Sequence, residues 1–315
     1  HAEVRARRRW RPLQPGDCVD LVAPASRCSD AELDAGMKAL RAWGLQPRVA
    51  TDVFGQAPFT ANVEALRWRQ LRAALRATDS AAVWCLRGGY GSAHMVAPLM
   101  RMARPAVPKP LIGFSDITAL LYAVNALWGW DALHGPVVAQ LGSRRVAPQD
   151  LRALRELLFS DAHVLTLRGL RALNPAARAC AEDGAIEGRL QAGNLATFMS
   201  LCGGPLTPRF ADRIVVVEDV NERGYQVDRF LFSLWQSGAF KRARAVVFGD
   251  FLHGEEADGQ SRVKAALRAF AERVRCPVFS GLPVGHGRRA PPLTVGAPVS
   301  IAPTGRGRFV LEVRR

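Results

Sequence analysis

The chain has 315 residues, 49% of them apolar and 23% charged, with 43 Lys and Arg against 28 Asp and Glu for a net charge of +15. That length and apolar content suit two compact domains with their own cores, and no apolar run reaches the roughly 20 residues that span a bilayer. The charge comes from arginines scattered through helical segments without interleaved aromatics, which sets nucleic-acid binding aside.

The N-terminal HAEVRARRRW lacks an apolar h-region and a small-residue cleavage site, so it is no intact signal peptide, although an initial His leaves a removed leader open. Residues 1–16 read as a basic arm, with the run Arg5 to Arg11 solvated. From residue 17 strand and helix alternate. DCVDLVAPAS (17–26) reads as a strand entering a loop, and DAELDAGMKALRAWG (30–44) as a helix closed by Gly44. A short strand PRVATDV (47–53) precedes an amphipathic helix over 61–78. The strand AAVWCLRG (81–88) precedes a helix over 92–103, and the strand PLIGF (110–114) precedes a helix from Asp116. Such alternation predicts a parallel sheet with helices on both faces, Rossmann- or flavodoxin-like, with ligands at the carboxyl ends of the strands.

The pattern weakens over 141–184, which apart from a helix DLRALRELLFS (150–160) reads as a linker between an N-terminal α/β domain (17–140) and a C-terminal α/β domain (185–315). The second domain is predicted to hold helices over 196–203, 227–238 and 261–274, strands over 213–219, 243–251 and 277–281, and a β-rich end over 298–313. Six cysteines without CxxC or zinc-ribbon spacing read as buried thiols of a reducing compartment, which favours the cytoplasm. HExxH, EF-hand and Walker A sequences are absent, and GGYG is not a dinucleotide fingerprint, so no metal, nucleotide or other cofactor is expected.

Three distant segments carry candidate chemistry: GFSD (113–116), VVVEDV (215–220) and GLPVGHG (281–287). Ser115 lies on a tight strand-to-helix turn, where a hydroxyl stands clear of the sheet beside helix N-terminal amides; a helix N-cap is the local alternative. Glu218 and Asp219 end a β-branched strand, where neighbours point to opposite faces. His286 lies between glycines that permit close backbone approach, and His134 competes with it as a base. A nucleophile, a base and an acid that orients the base make a serine hydrolase triad. Asp116 N–H, directly after the nucleophile, is a natural oxyanion donor. With the nucleophile in the first domain and its partners in the second, the active site is expected where the domains meet.

Seven blocks run in order along the chain: VAPAS (22–26), LRGGYG (86–91), IGFSD (112–116), HGP (134–136), EGRLQAGNL (187–195), VVVEDVNERGYQVDRFL (215–231) and LPVGHG (282–287). In these blocks the chain resembles the LD-carboxypeptidases, a serine peptidase family that also includes the microcin C self-immunity peptidases. The resemblance implies Ser115 as nucleophile, His286 as general base and Glu218 as its partner. It points to Gly89 as the second oxyanion donor, and to Gly88, Tyr90 and His134 as substrate contacts. It further implies release of the terminal D-alanine from cytoplasmic murein tetrapeptide during cell-wall recycling. A homodimer is implied as well, with the helix starting at Asp228 as its candidate surface. The microcin-immunity branch would instead cleave a peptidyl-nucleotide amide and need an aromatic platform, for which Trp84, Trp128, Trp130 and Trp235 are available. A binding module that lost catalysis would be expected to lack a triad residue, and none is missing. The chain departs from the family pattern at Ala192, where a glycine is usual, and at SLCGGP (200–205), which puts substrate contacts in doubt and not the reaction class.

Overall fold

The computed structural model describes residues 6–143 and 145–315, so residues 1–5 of the expected basic arm lie outside it. Two compact units are present: residues up to His163 together with Pro291–Gly296, and Val164–Ala290 together with Ala297–Arg315. The described part of the arm packs against the first unit, although Arg9 and Arg11 are exposed as expected. Arg8 N–H donates to the Gly129 carbonyl at 2.8 Å, Arg7 pairs with Asp131 at 2.7 Å, and Trp10 and Leu13 are buried. The physical reason is that Trp10 and Leu13 carry apolar area best removed from water, while the buried Asp131 carboxylate requires a cation.

In the first unit, β1 (Cys18–Val22), α1 (Asp30–Ala42), β2 (Gln46–Val49), α2 (Glu64–Arg76), β3 (Ala82–Cys85), α3 (Val96–Arg101), β4 (Leu111–Gly113), α4 (Thr118–Trp128) and β5 (Ala132–His134) follow in turn. α5 (Val138–Leu141) and α6 (Pro148–Phe159) complete it. The strands are parallel in the order β2-β1-β3-β4-β5. β3 and β4 are buried along their whole length, as strands covered on both faces must be. α4 is buried continuously from Thr118 to Asn125, an apolar helix with no water-facing side there. The loops after β1 and β3 emerge where the strand order reverses, the place where open α/β sheets form a crevice.

The second unit contains β6 (Val164–Ala172), α7 (Pro175–Asp183), β7 (Ile186–Asn194), α8 (Leu195–Ser200), β8 (Arg213–Val220), α9 (Gly224–Gln236), β9 (Ala245–Leu252), α10 (Val263–Arg273) and β10 (Val278–Ser280). The chain then returns to the first unit for β11 (Leu293–Val295), which pairs antiparallel with β5, before the hairpin β12 (Pro298–Gly305) and β13 (Arg308–Arg314). Seven strands close a barrel in the order β10-β6-β13-β12-β7-β8-β9. Within it β7, β8, β9 and β10 are parallel, so their carboxyl ends share one rim. The stretch read as a linker thus carries, besides the expected helix, which is α6, the strand β6 and the helix α7. β6 hides its strand signal because its pairing with β13 shifts register around Gly169, which breaks the period-two alternation that a reader seeks.

Candidate active site

Every side chain singled out for chemistry lies at or just beyond a strand's carboxyl end. Ser115 follows β4 and has φ 60°, left-handed backbone that a non-glycine residue adopts at a cost of about 1–3 kcal/mol. It opens a 3-10 turn, Ser115–Ile117, ahead of α4, in place of the helix expected from Asp116 onward. Ile117 occupies the cap position of α4, so Ser115 is not the helix cap its sequence context also allowed. Asp116 fastens this turn: its carboxylate accepts from Ser92 N–H at 2.8 Å, and its carbonyl accepts from the Ser92 hydroxyl.

The loop after β3 lies against Ser115. A Cβ built on Gly88 would stand 3.0 Å from the Ser115 Cβ and 3.4 Å from its Oγ. Gly89 has φ 97°, and a Cβ there would meet the Ser26 hydroxyl at 2.4 Å, so the position requires glycine twice over. Ser26 donates its hydroxyl to the Phe59 carbonyl at 2.9 Å and accepts from Tyr90 N–H at 3.1 Å. The Gly89 N–H has no acceptor among the described residues. Tyr90 is exposed, stacked edge-on with the still more exposed Phe59 at 6.3 Å and with His94 at 5.5 Å. His134 ends β5 beside Gly113, buried, with its ring edge-on to Phe114 at 6.0 Å. It borders the Ser115 turn from the neighbouring strand.

Beneath these loops lies a residue that the sequence reading passed over. Arg67 on α2 is 2% exposed and donates to the Asn62 carbonyl at 3.0 Å, to the Gly91 carbonyl at 2.9 Å and to the Pro24 carbonyl. It thereby ties the loop after β1 to the loop after β3. Burial holds its guanidinium below the usual range, with Glu64, Asp116 and Tyr90 opposing. The signal was present: position 67 shares the buried face of α2 with Leu71, Ala74 and Leu75.

In the barrel, Glu218 lies near the carboxyl end of β8, fully buried, and its Oε2 lies 2.6 Å from Nδ1 of His286 in the loop after β10. A carboxylate only accepts, so the imidazole proton sits on Nδ1 and Nε2 is left with a lone pair. Burial pulls the His286 pKa down, but the hydrogen bond to Glu218, its charge and that of Asp219 together outweigh burial, and the net shift is upward. Gly285 makes this approach possible. It has φ 152°, and a Cβ there would lie 3.1 Å from Glu218 Oε2 and 3.0 Å from the Asp250 Cβ.

Glu218 and Asp219 are both buried because β8 is covered on both faces from Ile214 to Asp219, not because the strand has ended. Asp219 is fully engaged: it accepts from Asn194 Nδ2 at 2.8 Å, Ala196 N–H at 2.9 Å and Val220 N–H at 2.8 Å. Burial and the neighbouring Glu218 charge nonetheless push its pKa up to about 7. Asn194 also caps α8 by accepting from Thr197 N–H, which explains the Gly193-Asn194-Leu195 sequence without substrate. Glu222, in the following loop, is pushed up by burial, and its Oε2 has no hydrogen-bond partner among the described residues.

Three of the four tryptophans considered as a base platform, Trp84, Trp128 and Trp130, are core residues, and Trp235 is exposed on α9. Among the described residues no three His, Cys, Asp or Glu side chains converge as a metal site. No helix is long and apolar enough to cross a membrane, among the residues described.

Residues 19–135 match the LD-carboxypeptidase N-terminal domain, and residues 187–301 match the LD-carboxypeptidase C-terminal domain. The murein tetrapeptide carboxypeptidase of Pseudomonas aeruginosa is 31% identical, over 88% of this chain and 90% of that protein. The crystal structure of a muramoyltetrapeptide carboxypeptidase from Oxalobacter formigenes superposes with a TM-score of 0.80 at 25% identity, over 94% of this chain and 98% of the other. The microcin C7 self-immunity protein, solved with aspartyl sulfamoyl adenosine, shares the fold at a TM-score of 0.78 and 19% identity, over 96% of this chain and 97% of the other.

Proposed function

The chain belongs to the LD-carboxypeptidase family, and from that premise we propose that it is a cofactor-independent serine peptidase that removes the terminal D-alanine of murein tetrapeptide in the cytoplasm. Ser115 is the nucleophile, His286 Nε2 the general base, and Glu218 the group that orients the imidazole and stabilises the imidazolium. Ser115 Oγ attacks the carbonyl of the diamino acid as its proton passes to Nε2. That proton then goes to the departing D-alanine amine, and water hydrolyses the acyl-enzyme by the same relay in reverse. The N–H groups of Gly89 and Asp116 hold the oxyanion. Gly88, Tyr90 and His134 line the substrate.

One observation carries this reading: the 2.6 Å bond between a fully buried glutamate and His286, which fixes the tautomer a base requires. The left-handed Ser115 and the unengaged Gly89 N–H are in keeping with it. A net charge of +15 favours encounter with an anionic peptide. The exposed Phe59–Tyr90 pair favours, as a second reading, an amide linked to a nucleobase that could stack there. We further propose a homodimer through α9, whose Tyr225, Phe232 and Trp235 are exposed.

Purified protein and a Ser115→Ala variant incubated with murein tetrapeptide test the main reading, with D-alanine release followed by mass spectrometry. Release by the parent alone is expected. Release by neither, with cleavage of a peptidyl-nucleotide amide, would transfer the assignment to the second reading.

A further inference from the structure

Glu218, Asp219 and Asp250 lie close enough at the carboxyl ends of β8 and β9 for Glu218 to act electrostatically on both of the others. Two are committed, Glu218 to His286 and Asp219 to Asn194, Ala196 and Val220. Asp250 differs. Among the described residues its carboxylate accepts no hydrogen bond and joins no ion pair, and Arg289 acts on it only at longer range.

Its placement is not incidental. Val217 pairs with Phe248 but Asp219 pairs with Phe251, so β9 carries one extra residue opposite Glu218. Such a bulge redirects a side chain out of the regular alternation. The effect is to set Asp250 against the loop of His286: its N–H donates to the Val284 carbonyl at 2.7 Å, and its Oδ2 lies 3.3 Å from where a Gly287 Cβ would stand. A half-buried carboxylate without a direct counter-charge is costly, and in a chain with 43 basic residues a partner was readily available. Burial and Glu218 both raise its pKa, against Arg289. A cation supplied by a ligand would relieve both penalties.

We propose that Asp250 is a specificity-determining residue that receives the side-chain ammonium of the substrate's diamino acid. This rests on the reading of the chain as a murein tetrapeptide carboxypeptidase. In that reaction the diamino acid donates the acyl group that His286 helps to cleave, so its side chain starts one carbon from the reacting centre. Extended, the side chain of a diamino acid carries its ammonium roughly 5–6 Å from the Cα, clear of the reacting carbonyl.

Two substrates separate the outcomes: the diaminopimelate tetrapeptide and the same peptide acetylated on its distal amine. The parent is expected to prefer the free amine roughly 10- to 100-fold in kcat/KM, chiefly through KM. Asp250→Asn is expected to lose that preference while handling the acetylated peptide as the parent does, and Asp250→Glu to restore part of it. No preference in the parent, a preference retained in Asp250→Asn, or an equal loss on both peptides would overturn the assignment and leave the carboxypeptidase reading standing. A parent that releases D-alanine from neither peptide overturns both.

Discussion

Replacing Glu218 by Gln removes a charge from the side chain that holds His286 and changes almost nothing in volume. In the proposed mechanism His286 becomes an imidazolium, with its positive charge about 4 Å from the carboxylate centre. At an effective dielectric of about 20 that attraction is about 4 kcal/mol, or roughly 10³ in kcat. The pH dependence moves as well. Glu218 raises the His286 pKa against burial; without it burial prevails, the imidazole titrates lower, and the acid limb of kcat/KM shifts to lower pH while its plateau falls. Stability follows the same sign. A histidine with a raised folded pKa stabilises the fold fully below its unfolded value of about 6.5 and loses that contribution as pH rises through the folded value. The variant is therefore expected to lose more stability, relative to the parent, at pH 6 than at pH 8. D-alanine release between pH 5 and pH 9, with thermal melts across the same range, measures all three. A kcat within tenfold of the parent, or an acid limb that stays in place, would refute the reasoning.

Gly285→Ala puts a methyl 3.1 Å from Glu218 Oε2 on left-handed backbone, and is expected to cost about 1–3 kcal/mol of stability and roughly 10- to 100-fold in turnover, read by urea unfolding and peptide hydrolysis. A variant that turns over like the parent would mean the loop yields freely. Arg67→Met leaves the Pro24 and Gly91 carbonyls without a buried donor; a loss of about 2–4 kcal/mol is expected, with KM rising as the loop after β3 loosens. An unchanged melting temperature would count against that role. Phe232→Glu combined with Trp235→Glu, two exposed positions on α9, is expected to convert a dimer to monomer in sedimentation velocity, and a parent that sediments as a monomer would remove the α9 interface.

β1, β3 and β4 were legible because each is a short apolar run followed by a helix, whereas β5, only three residues long, was not read. β3 and β4 have no polar face to confuse the pattern. Where two structures share one local pattern the reading slipped. The segment from Ser92 was read as one helix, but it divides into a 3-10 turn and α3. β11 is three residues long and takes its identity wholly from β5, a partner far away in sequence. Arg67 was passed over because an arginine amid other arginines reads as solvated unless its position on the helix face is followed.

Ser115, Glu218 and His286 are candidates in the sequence because each stands where an apolar run stops, and the choice of Glu218 over Asp219 came from the family resemblance. Covalent chemistry restricts which side chains can play those parts, so residue type and position already narrow the choice. Tertiary structure alone decided the rest. Period-two alternation predicts opposite faces for Glu218 and Asp219 but not the burial of both, which follows because both faces of this barrel strand are covered. The 2.6 Å bond to His286 joins residues 68 positions apart and requires the absence of a Cβ at Gly285. Barrel closure likewise depends on β6 meeting β10 and β13, more than a hundred residues later. Local sequence carries the dihedral and burial preferences of its own segment; distances between segments arise only when the whole chain has packed.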